Sequence, residues 1–161
     1  MTKTQTAILG MGCFWKPELL FSETEGILST KVGYIGGDEK KYPNPTYDEV
    51  CSNKTGYIEA ILVQFNPEKI SYKKILEIFW KNHNPTTPNR QGPDIGTQYK
   101  SSIFYYNKEQ EKIANKSKEE IQKKYENKKV VTEIRKASAF FPAEDYHQKY
   151  LEKRDLRSCH I

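Results

Sequence analysis

Cysteine is scarce in this chain. There are three in 161 residues, Cys13, Cys51 and Cys159, and no CxxC among them. That excludes a disulfide-stapled scaffold and leaves no paired spacing for a structural zinc. Long apolar runs are missing as well. No stretch approaches the length of a membrane span, and "MTKTQTAILG" offers too few apolar residues before Gly10 for a secretory signal, so a cytoplasmic protein away from membranes is expected. A strong charge of one sign is also lacking. The 26 Lys and Arg are interleaved with 21 Asp and Glu, for a formal net charge of +5, so no nucleic-acid footprint is expected. There are no internal repeats and no linker-like break, which leaves one domain over residues 1–161. Rings, by contrast, are plentiful: 11 Tyr, 7 Phe and 2 Trp. Rings that carry a hydroxyl or an N–H suit pockets as well as cores.

Apolar spacing and turn residues predict the elements. Strands are expected over Thr4–Leu9, Thr30–Ile35, Tyr57–Phe65, Ser101–Tyr106 and Val130–Ile134. Helices are expected from about Pro17 to Glu23, from Pro67 to Asn82, and from Lys108 to Lys128 behind an Asn107 cap. Two long stretches, Gly36–Thr46 and Asn84–Gly96, read as loops of the kind that line sites. Strands and helices mix without strict alternation, so the fold class is α+β, a mostly antiparallel sheet with helices packed on it.

The stretch "AILGMGCFWKPELLF" places Cys13 at a strand-to-helix turn, between two glycines and two large rings. A helix start offers free N–H groups and partial positive charge, which favour a thiolate. Several chemistries compete for that thiol. A dinucleotide fingerprint fails, because Trp15 stands where the third glycine belongs. The residues after Cys13, "FWKPEL", hold no arginine to close a phosphate loop. Acyl transfer needs a histidine base, and nothing in the sequence ties His83 or His147 to Cys13. A buried, inert thiol also stays open.

Six blocks decide among these: "GCFW" at 12–15, "GYIGG" at 33–37, "PNPTYDEVCS" at 43–52, "FWKNHNPT" at 79–86, "RQGPDIGTQYKS" at 90–101 and "AEDYHQKYL" at 143–151. In this order, over nearly the whole chain, they resemble the A-type peptide methionine sulfoxide reductases. The resemblance implies a two-layer, ferredoxin-like α+β sandwich with long wrapping loops. It also implies reduction of the S epimer of methionine sulfoxide, free or in proteins, by a monomer that uses thioredoxin as reductant and needs no metal or other cofactor.

The chemistry of a sulfoxide agrees with that. Its sulfur is electrophilic, its oxygen leaves poorly, and its methyl group is apolar, so a thiolate, an acid and an apolar pocket are required. Cys13 is the expected nucleophile, and Phe14 and Trp15 the walls of the methyl pocket. The acid should be a carboxyl group kept neutral by apolar surroundings. Glu59 interrupts the strand "YIEAILVQF" and shares a face with Tyr57 and Ile61. By resemblance, Glu59 is the general acid, Tyr47 and Tyr99 hydrogen-bond the sulfoxide oxygen, and Asp94 meets the substrate's backbone side. Cys159 is the resolving thiol on a tail over 152–161, and Cys51 is structural. Lys16 stands where that family usually has glycine, Tyr57 where it often has histidine, and the tail "RDLRSCHI" has no glycine. A non-catalytic module that binds methionine-containing or oxidised peptides through the aromatic pocket is the competing class, distinguished by ordinary reactivity at Cys13.

Overall fold

The computed structural model describes residues 4–153. Its main sheet has six strands in the order β7-β6-β1-β3-β2-β8. These are β1 (Gln5–Gly10), β2 (Ile27–Ile35), β3 (Ile58–Phe65), β6 (Ser102–Tyr105), β7 (Glu133–Lys136) and β8 (Phe141–Pro142). Every neighbouring pair is antiparallel except β6 and β7. Strand β3 lies between β1 and β2, so helix α1 (Trp15–Ser22) crosses over it, and α3 (Tyr72–Lys81) crosses from β3 to β6. Those two crossovers make the ferredoxin-like core. Helix α4 (Lys108–Gln122) then returns the chain to add β7.

Alternation along the central strands explains the layers. Ala7 and Leu9 of β1 and Ile61, Val63 and Phe65 of β3 face one core with Ile75 and Phe79 of α3. Ile8, Ile58, Ala60 and Phe104 face the other side, where Ala137 and Phe140 pack over them. Glu59 shares parity with Ile61, so the strand aims it toward the helix-bearing face.

Several expected boundaries move (β2, for one, begins at Ile27 and not at Thr30), three of them for a clear local reason. Helix α3 starts at Tyr72 and not at Pro67, because Lys69 and Ile70 donate to the Asn66 carbonyl in a turn and Ser71 supplies the cap at 3.0 Å from Lys74 N. Helix α4 keeps its Asn107 cap (2.9 Å from Gln110 N) but ends at Gln122. The Gln122 amide takes the carbonyls of Tyr125 and Lys128 and the N–H of Val130, which folds the chain back. The strand expected at 130–134 begins at Glu133, opposite Ser102. The first long loop leads into α2 (Tyr47–Cys51), and the second holds a hairpin of β4 (Arg90–Gln91) and β5 (Asp94–Ile95).

His83 follows α3 and is half-buried in a directed chain. Its Nδ1 lies 2.6 Å from the Phe79 carbonyl, which can only accept, so Nδ1 carries the proton. Its Nε2 then accepts from Ser101 Oγ at 2.7 Å, and Ser101 Oγ sits 2.7 Å from Thr132 Oγ1. Burial pulls the imidazole down to about 4, against the Phe79 carbonyl, which works to raise it. The unfolded chain takes up that proton near pH 6.5 and the folded chain does not. Stability from this site is therefore complete above about pH 6.5 and is lost as pH falls toward 4, with a slope of at most ~1.4 kcal/mol per pH unit. Denaturant unfolding across that window is expected to show a shallower pH slope in His83→Gln than in the parent. Identical slopes would remove His83 as the cause.

Candidate active site

Strand β1 ends at Gly10 and α1 begins two residues after Cys13, with Phe14 as its N-cap. Gly12 makes the turn at φ 90°, and a Cβ there would meet the Gln91 side chain at 2.7 Å. Glycine is thus required both for the left-handed backbone and for the close approach of the β4–β5 hairpin. Pro17 falls in the first helical turn, where its missing N–H is harmless. Cys13 is half-buried at the mouth of this turn.

Glu59 is 1% exposed. It pairs across the sheet with Tyr34 of β2, and its Oε1 accepts the Phe14 N–H at 3.4 Å, one residue beyond Cys13. Tyr47 opens α2, which is held by a reciprocal cap: Thr46 Oγ1 accepts from Glu49 N at 3.2 Å, and Glu49 Oε1 accepts from Thr46 N at 3.0 Å. The Tyr47 N–H donates to Glu144 Oε2 at 3.0 Å, and the Tyr34 hydroxyl donates to Glu144 Oε1 at 2.9 Å. Burial opposes the Glu144 carboxylate, but those donors outweigh it and hold the group below its ordinary range. Tyr99 ends a 3₁₀ turn, Thr97–Tyr99. Burial, the largest cause, pushes both the Tyr47 and Tyr99 phenols well above their ordinary value, so both keep their protons.

These side chains meet in one cavity of about 150 Å³. Cys13 and Glu59 line it with the two phenols, and Phe14, Trp15 and Asp94 complete it. All the expected site residues of the described chain therefore converge. Cys159 lies outside the described residues. Cys51 is half-buried beside the side chains of Tyr47 and Gln98, with burial raising its thiol.

Sequence reasoning missed the brace behind Trp15. The indole N–H donates to His147 Nδ1 at 3.1 Å, and the ring stacks on Tyr150 at 3.7 Å and 5°. His147 is 1% exposed and also packs on Phe14 and Tyr47, with ring centroids at 5.3 and 4.5 Å. Burial lowers its imidazole, consistent with a neutral ring whose Nδ1 accepts. The segment carrying both residues is tied down by Glu18 of α1, which accepts from the Lys149 N–H and from Thr30 Oγ1. Gln148 adds bonds to both backbone groups of Val32. Most of these contacts join residues a hundred or more positions apart, and the only signal was the block "AEDYHQKYL" itself. Among the described residues no group of three His, Cys, Asp or Glu is placed to hold a metal.

The comparison with known proteins fits this geometry. A family model described as peptide methionine sulfoxide reductase matches residues 5–161. The chain belongs to the peptide methionine sulfoxide reductase family. Membership assigns the reductase its activity, the reduction of methionine sulfoxide. It is 55% identical over 155 residues to a protein of Methanococcus maripaludis (strain C6) called peptide methionine sulfoxide reductase MsrA, covering 96% of each. Its fold is similar to the crystal structure of reduced Mxr1 from Saccharomyces cerevisiae, with a TM-score of 0.90 and 39% identity over 95% of this chain and 87% of that one. A structure of Mxr1 in complex with Trx2 is similar at a TM-score of 0.64 and 26% identity, covering 92% of this chain and 85% of that one. The α+β reading stands, with a mixed sheet in which β6 and β7 are the parallel pair.

Proposed function

We propose that the reductase acts on the S epimer of methionine sulfoxide, free or in proteins, with Cys13 as nucleophile and Glu59 as general acid. The observation that carries this is the convergence of a thiol, a buried carboxyl group, two protonated phenols and two aromatic walls in one small cavity. The substrate methyl group packs on Phe14 and Trp15, Tyr47 and Tyr99 donate to the sulfoxide oxygen, and Asp94 meets the substrate's backbone side. Burial to 1% exposure favours the neutral form of a carboxyl group, which is the form that can donate.

The oxygen leaves the substrate sulfur and ends on Cys13, so the thiol and the sulfoxide become a sulfenic acid and a thioether. The substrate sulfur is reduced by two electrons and the Cys13 sulfur is oxidised by two. Cys159 then attacks the sulfenic acid, a disulfide forms and water leaves. A dithiol reductant reopens that disulfide and is itself oxidised. Thioredoxin fills this role in our reading, supported by the structure of the related Mxr1 with Trx2. We place this cycle in one cytoplasmic, monomeric domain whose last residues carry the resolving thiol. In support, no described helix is long and apolar enough to cross a membrane, and the surface charge is mixed.

Turnover of separated epimers, coupled to thioredoxin and its reductase, tests the substrate assignment. The S epimer is expected to be reduced and the R epimer left untouched. Reduction of the R epimer, or of neither, would contradict it.

A further inference from the structure

A second cavity, about 210 Å³, also borders Cys13. Cys13 and Asp94 line both cavities, so the two meet at the nucleophile. Pro17 and Leu20 of α1 give the second cavity an apolar wall, and Pro93 of the β4–β5 hairpin faces it. The hairpin is braced in place. The Gln91 side chain accepts from Asn84 N at 2.9 Å and donates to Asn84 O, while its methylenes pack on Gly12. The space therefore exists before any ligand arrives, which lowers the ordering cost of binding.

The charges of this lining are asymmetric. Asp94 belongs to the junction, whereas Lys16 lines the second cavity alone. Lys16 is exposed, on the second residue of α1, and among the described residues it joins no ion pair. A methionine sulfoxide whose sulfur sits at Cys13 must send its main chain out of the reaction cavity, and the adjoining cavity is the built space beside that exit. A group with an apolar stem and a terminal carboxylate matches both its wall and its cation.

We propose that this second cavity is a substrate subsite, and that Lys16 there selects a carboxylate next to the methionine sulfoxide. The carboxylate is either that of a flanking acidic residue or the substrate's own α-carboxylate. The proposal rests on the assignment of Cys13 as the nucleophile. Lys16 is a specificity residue and takes no part in oxygen transfer.

The test is the single-turnover reductase step on peptides that differ only in one residue beside the methionine sulfoxide, Glu, Gln or Lys, placed on either side. N-acetyl-methionine sulfoxide and its amide form a second pair. For an exposed cation the expected preference of the parent for Glu over Gln is about 3-fold, carried by KM and reduced by added salt. Lys16→Gln is expected to bring the Glu/Gln ratio to about 1, and Lys16→Glu to invert it in favour of the Lys peptide. A Lys16-dependent preference in the acetyl pair alone would assign the selected group to the substrate's own carboxylate and support the subsite. Ratios equal in the parent and both variants, for every pair, would overturn it. Reduction of the Gln peptide by the parent but not by Cys13→Ser reports separately on the Cys13 assignment, so either claim can fail alone.

Discussion

Cys13→Ser is expected to fold like the parent and to reduce no methionine sulfoxide. The substitution exchanges one small atom in a half-buried turn and leaves Gly12, the Phe14 N-cap and the Phe14–Glu59 bond in place. Stability should therefore change little, which denaturant unfolding checks. Chemistry should be lost outright. The reaction requires a sulfur atom that is nucleophilic as a thiolate and can hold the transferred oxygen as a sulfenic acid. A serine hydroxyl does neither. Among the described residues the other thiol, Cys51, is pushed up by burial, so it is a poor substitute. Retained reduction by Cys13→Ser, measured as methionine formed per enzyme, would contradict the assignment.

The second large effect is expected at Glu59. Glu59→Gln keeps the shape of the side chain, and its carbonyl oxygen can still accept the Phe14 N–H. What it loses is the proton. Tyr47 and Tyr99 are held well above their ordinary range, above all by burial, so they can polarise the sulfoxide oxygen through hydrogen bonds but are poor proton donors. The reductase step should slow by ~10²–10⁴, the usual worth of a positioned acid, or roughly 3–5 kcal/mol of barrier. Rapid quench over a single turnover isolates that step from recycling. A near-normal rate at neutral pH would remove Glu59 from the acid role.

Much of the site was legible because local pattern determines it. Alternation in "YIEAILVQF" gives the face of Glu59, and the glycine-to-proline stretch around Cys13 gives the strand, turn and helix start. Helix α2 was also legible and was missed. Thr46 and Glu49 carry the reciprocal cap signature, and it is α2 that sets the position of Tyr47. The β4–β5 hairpin was harder. Each strand is two residues long, the turn depends on Gly92 at φ 55°, and no apolar period marks it. Least legible was the brace on Trp15, because His147 and Tyr150 reach it across the whole chain through rings and one hydrogen bond. Composition shows that rings are abundant but not which of them meet. The cavity beside Lys16 has the same character: its lining comes from the Cys13 turn, α1, the end of α3 and the hairpin, which only the fold brings together.

The most direct test of Cys13 as the oxygen acceptor is a thiol count after one equivalent of the S sulfoxide, in the absence of external reductant. The parent is expected to lose two thiols for each methionine formed. Cys159→Ser is expected to lose one, with a sulfenic acid that a dimedone probe traps at Cys13. Formation of methionine with the probe on another residue, or with no thiol lost, would contradict the mechanism.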